Sequence, residues 1–126
     1  MAKSKNTILV VDDEESNLKA VKDILRHAGY KIICVESGSQ ALMMMKNLKP
    51  DLILLDHFMP RMTGKMLCAK IRADPELKDI KIVFVTVARF SKEELGDLER
   101  MNVLDYIPKP FEVKDLLFRV KKAIER

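Results

Sequence analysis

The sequence predicts a three-layer α/β domain, a doubly wound five-stranded parallel sheet in the order 2-1-3-4-5. Two observations carry that expectation. Short apolar runs rich in β-branched residues alternate with longer stretches of helical period, and no Gly/Ser-rich linker or internal repeat interrupts the series. The runs are apolar at nearly every position, so both faces must be covered, which right-handed helical crossovers on a parallel sheet achieve. At 126 residues the chain is the size of one such domain and needs no staples to bury a core.

Taken in order, residues 1–6 are expected as a flexible N-terminal segment ahead of a first strand, Ile8 to Val11. Leu18, Val21, Leu25 and Ala28 form the stripe of a first helix, ended by Gly29 at a left-handed position. Ile32 to Val35 is the second strand. Ser37-Gly38-Ser39-Gln40 reads as a capping box opening a helix that carries Leu42 and Met45 and is closed by Pro50. Leu52 to Leu55 is the third strand, followed by a helical stretch bearing Cys68. Ile82 to Val85 is the fourth, and Ser91-Lys92-Glu93-Glu94 is a second capping box, before Leu95 and Leu98. A weaker strand surrounds Tyr106 and Ile107. Val113, Leu116, Leu117, Val120 and Ile124 then mark a final amphipathic helix.

Composition narrows the function classes. A formal charge of +4 with 33% charged residues reads as a solvated surface, and the basic residues crowding the last helix lack interleaved aromatics or a recognition-helix motif. Direct nucleic-acid binding is not expected. Nowhere do eighteen uncharged apolar residues run together, and no leader with a cleavage site opens the chain, so a cytoplasmic protein without a membrane partner is expected. Cys34 and Cys68 have no CxxC or Cys/His metal spacing and read as reduced packing residues. His27 and His57 read as surface or packing groups, and Met43, Met44 and Met45 as helix packing plus exposure.

The run Leu54-Leu55-Asp56-His57-Phe58-Met59-Pro60 ends an apolar strand on a carboxylate, which needs solvent or a partner there. The predicted topology supplies one. Asp12 and Asp13 end the first strand and Asp56 the third, the two strands that flank the switch point of a 2-1-3-4-5 sheet. Thr86 ends the fourth strand and Lys109 follows the fifth, around the same crevice. Clustered carboxylates repel unless a cation joins them, and Mg²⁺ favours carboxylates, water and phosphate oxygens. The assortment therefore suits phosphoryl transfer, with Asp56 as nucleophile, Asp12 and Asp13 holding metal, and Lys109 and Thr86 meeting phosphoryl charge. Each residue also has a plainer reading: acids before a helix cap it, a Thr suits a strand, and a Lys between Pro108 and Pro110 suits a solvated turn. Joint placement at four strand ends favours the chemical one.

Asp12-Asp13, LLDHFMP with Thr63-Gly64, Thr86, and Tyr106-Ile107-Pro108-Lys109-Pro110 together resemble the response-regulator receiver domain of two-component signalling, over essentially the whole chain. The resemblance implies that Asp56 accepts phosphate from a phosphohistidine on a sensor histidine kinase or phosphotransfer protein. It implies Mg²⁺ bound directly by Asp13, Asp56 and the Phe58 carbonyl, with Asp12 acting largely through water. Lys109 would pair with a phosphoryl oxygen, and Thr86 would move toward it and open space for Tyr106 to turn inward. A cis bond before Pro110 and output through the face of the fourth helix, fifth strand and fifth helix are also implied.

Five positions depart from the family pattern. Val87 replaces the usual Ala or Gly beside the donor's approach, while Phe58 and Ala88 replace polar groups that orient attacking water in some relatives. Asn102-Val103 stands where Gly-Ala is common, and Asn tolerates the left-handed turn. The leading expectation is a phosphate-accepting regulatory receiver, not a turnover enzyme. A degenerate receiver acting as a phosphorylation-independent binding module is the alternative. An aspartyl-phosphate hydrolase of the haloacid dehalogenase type would need a second Asp where Phe58 stands. The chain is expected to be a stand-alone regulator or a receiver excised from a longer protein.

Overall fold

The computed structural model describes residues 5–126, and residues 1–4 of the expected flexible N-terminal segment lie outside the described residues. Asn6 is tied down, its carbonyl accepting from Lys31 N–H at 2.9 Å. The elements alternate as β1 (Thr7–Val11), α1 (Glu15–His27), β2 (Lys31–Val35), α2 (Gly38–Met44), β3 (Leu52–Leu55), α3 (Gly64–Ala73), β4 (Lys81–Thr86), α4 (Lys92–Arg100), β5 (Val103–Pro108) and α5 (Val113–Glu125). All strand pairings are parallel, in the order β2-β1-β3-β4-β5.

Strand alternation divides the core into two layers. Leu9, Val11, Ile53, Leu55, Ile82 and Phe84 face α2, α3 and α4, where they meet Ala41, Leu67, Ile71 and Leu98. Ile8, Val10, Leu52, Leu54, Val83 and Val85 face α1 and α5, against Leu18, Val21, Leu25, Leu116 and Val120. Each fully buried aliphatic side chain contributes about 2 kcal/mol. Cys68 is buried in the first layer and half-buried Cys34 packs against the second; both are free thiols, and burial raises the pKa of each.

Several local expectations need correction. Ala28 is the C-cap of α1 and exposed, because the chain turns there: Tyr30 N–H donates to Leu25 O and Gly29 N–H to Arg26 O, with Gly29 at φ +102°. That is a Schellman ending, so the buried stripe stops at Leu25. Only half of the Ser37 box forms. Ser37 accepts from Gln40 N–H, but the Gln40 side chain accepts from Glu36 N–H instead of the cap's own. The Ser91 box is complete. Pro50 does not close α2, which ends at Met44 with Met45 as cap. Leu95 and Val113 point outward, and Ala123 joins the buried stripe of α5.

Candidate functional site

Two strand ends, those of β1 and β3, deliver the three acids. Asp12 N–H extends the ladder to Val35 O at 3.2 Å, and Asp56 N–H donates to Val11 O at 3.0 Å, which locks both residues at the sheet's carboxyl edge. Carboxylate oxygens of Asp12, Asp13 and Asp56 lie within 4.8 Å of one another. Asp12 is 4% and Asp56 7% exposed, whereas Asp13 faces solvent. Gly64, the first residue of α3, lets the helix press on this edge. A Cβ there would come within 2.5 Å of Asp56 O and 2.8 Å of His57 Cα, contacts that only backbone movement could relieve.

Lys109 is no solvated turn. Its Nζ lies 2.6 Å from Asp12 Oδ2 and 3.6 Å from Asp56 Oδ2, with the side chain 11% exposed. The peptide bond before Pro110 is cis, as expected, and Lys109 N–H donates to Thr86 O at 3.0 Å. Asp12 keeps part of the plainer role. Its Oδ1 accepts from Glu14 N–H at 3.0 Å, while the N-cap of α1 is Glu14 and uses no side-chain bond. Thr86 is 0% exposed and its Oγ1 accepts from Ala88 N–H at 3.1 Å. Tyr106 is half-buried, and its hydroxyl donates to the Ala88 carbonyl.

The three unusual residues fall in different settings. Phe58 has its ring exposed, at 56%, and tilted against His57, while its N–H donates to Asp56 Oδ1 at 3.4 Å. Val87 is 57% exposed and lines a groove of about 440 Å³ with Asn17, Ala20, Lys109 and Phe111. Ala88 is 3% exposed, with both backbone polar groups engaged. His57 is a packing residue whose pKa is lowered, first by burial and then by Lys65, against opposing pulls from Asp56 and Glu94. Its Nδ1 accepts from Lys65 N–H at 3.4 Å. His27 is exposed, as are Met43 and Met44, while Met45 is buried.

The donor set is all hard oxygen, and three carboxylates face one ammonium, leaving a formal deficit that a divalent cation fits. Residues 8–121 match the family model described as the response regulator receiver domain. The chain belongs to that family. The receiver is 36% identical over 122 residues to the DNA-binding response regulator MtrA of Mycolicibacterium smegmatis, a match covering 97% of this chain and 52% of that protein. It therefore spans about half the length of that curated relative. Among solved structures it resembles the chemotaxis protein CheY4 of Vibrio cholerae, with a TM-score of 0.88, 27% identity, and 95% and 99% of the two chains covered. The receiver domain of a Pseudomonas aeruginosa sensor histidine kinase, with a magnesium ion coordinated in its active-site cleft, matches at a TM-score of 0.85 and 25% identity, covering 98% of this chain and all of that one. As a receiver the chain is a regulatory domain of two-component signalling, and among the described residues no helix is long and apolar enough to cross a membrane.

Proposed function

We propose that this receiver takes a phosphoryl group from a kinase or phosphotransfer phosphohistidine onto Asp56, beside Mg²⁺, and converts the added charge into a changed protein-interaction face. The convergence of the Asp12, Asp13 and Asp56 carboxylates with Lys109 carries the reading. Asp13, Asp56 and the Phe58 carbonyl would hold the metal directly, and Asp12 largely through water. Bound Mg²⁺ neutralises charge on the phosphoryl oxygens and orients them.

Asp56 supplies the attacking oxygen, and the P–N bond to the donor imidazole breaks as the P–O bond forms, its electron pair staying with the ring nitrogen. Lys109 already sits between Asp12 and Asp56, so a short swing brings its ammonium onto a phosphoryl oxygen. Thr86 uses its oxygen to accept from Ala88, which leaves its hydroxyl proton to donate. Such a donation draws on the segment that also holds Tyr106 through the Ala88 carbonyl. The face formed by α4, β5 and α5 is the proposed output surface. There Arg119 bonds Asp105, Asp115 and the Tyr106 carbonyl and ties α5 to the switch strand.

Beryllofluoride with Mg²⁺ tests the acceptor. The parent is expected to bind it and shift the amide resonances of residues 56, 86, 106 and 109, and Asp56→Asn to lose that response. Equal binding by Asp56→Asn would remove the assignment. Val87 also admits a test, because its side chain flanks the groove beside Lys109. Val87→Ala is expected to speed labelling by a small phosphodonor severalfold while leaving Mg²⁺ affinity unchanged. An unaltered labelling rate in a folded variant would show that the donor does not pass that side chain.

A further inference from the structure

Phe90, in the loop between β4 and α4, touches both the phosphoacceptor loop and the switch strand. Its ring meets His57, next to Asp56, edge to face at 5.2 Å and 71°. It meets Tyr106 in the same manner at 5.3 Å and 70°. A third ring, buried Phe84 of β4, lies behind it at 5.9 Å and 83°. His57 is itself fastened to the start of α3 through its Nδ1. The rings therefore form a continuous line from the residue beside Asp56 to Tyr106. Thr86 takes no part in that line.

We propose that Phe90 is a positioning residue that couples the Asp56 loop to Tyr106, in parallel with the route through Thr86. The inference rests on the phosphoacceptor reading of Asp56. Close-packed rings cannot shift one at a time without opening a gap or a clash. A displacement of His57 on phosphorylation moves the edge on which Phe90 rests, and Phe90 in turn resets the face available to Tyr106. The directional preference of edge-to-face pairs makes the coupling depend on a ring at position 90, which an aliphatic side chain of similar volume does not supply.

Backbone-amide and tyrosine-ring NMR with beryllofluoride and Mg²⁺ separates the possibilities, on the parent, Phe90→Leu, Phe90→Ala and Phe90→Tyr. In Phe90→Leu and Phe90→Ala the shifts at residues 56–59 and at Thr86 are expected to persist, while those of the Tyr106 ring and of α4 fall by about half or more, as loss of two oriented ring pairs implies. Phe90→Tyr, which keeps the ring, is expected to restore them. Undiminished Tyr106 shifts in both Phe90→Leu and Phe90→Ala, with the Asp56 response intact, would overturn the coupling alone. A parent without any response at Asp56 would overturn the phosphoacceptor reading and the coupling with it. Phe90→Leu preserves apolar volume, so its result stands even where Phe90→Ala fails to fold.

Discussion

Replacing Arg72 with Met is expected to lower the unfolding free energy by about 3 kcal/mol, a larger effect than removal of most core methyl groups. Arg72 stands on α3, half-buried, and its guanidinium reaches four backbone carbonyls. Nε donates to Met101 O at 2.7 Å, Nη1 to Lys78 O at 2.7 Å and Ile80 O at 2.6 Å, and Nη2 to Asn102 O at 3.3 Å. Two of those carbonyls belong to the turn between α4 and β5, where Asn102 holds φ +58°. The others lie in the segment leading into β4. One side chain thus fastens the approaches to both strands that carry Thr86 and Tyr106.

Hydrogen bonds from a charged donor are the stronger kind, and truncation strands acceptors that include the carbonyl of nearly buried Ile80. Partial exposure lets water recover some of that loss, which is why the expected figure is well below four full bonds. The melting temperature should fall by about 10 °C for a domain of this size. Arg72→Lys is expected to lose more than half as much, because a single ammonium cannot reproduce a planar fork. Urea and thermal denaturation measure both. A loss within about 0.5 kcal/mol for Arg72→Met, the range of an ordinary surface substitution, would show that the clamp is unimportant.

What could be read from the sequence follows the range of the interaction concerned. The central strands announced themselves because burial on both faces demands apolar residues at every position, as in Leu52–Leu55. β5 was faint because it is an edge strand in which only Ile107 is buried, and a bulge opposite Ile82 and Val83 breaks its register. The acids, Thr86 and Lys109 were legible as a group because strand order alone carries them to one edge. Arg72 was not, since its partners are backbone carbonyls up to 30 residues away, which leave no trace in residue identity. The ring line through Phe90 was equally hidden. Its members lie on three separate segments, and no spacing rule joins a histidine in one loop to a phenylalanine in another.

The acyl phosphate on Asp56, once formed, is expected to be long-lived. Its hydrolysis requires a water oxygen in line behind phosphorus, so that the new P–O bond forms as the bond to Asp56 breaks and inorganic phosphate leaves. On the proposed reading residues 58 and 88 flank the path of that water, and neither side chain offers it a hydrogen bond. Phe58 turns a hydrocarbon ring outward beside the site, and Ala88 already commits its N–H to Thr86 and its carbonyl to Tyr106. Phe58→Asn and Ala88→Glu together are expected to speed autodephosphorylation by about tenfold or more, which is about 1.4 kcal/mol of barrier and within reach of one or two oriented hydrogen bonds. The two changes are not equivalent. Position 58 is open, so Asn is accommodated freely, whereas the Ala88 methyl is buried and a Glu there must thread outward, at a packing cost of about 1 kcal/mol. Phe58→Asn alone should therefore give a clear rise without loss of stability. Phosphate release from purified phosphoprotein in Mg²⁺ buffer, measured for the parent, each single variant and the pair, decides the matter. A parent that decays as fast as the double variant would mean that water positioning at 58 and 88 does not limit the rate, and the long-lived signal would have to be given up.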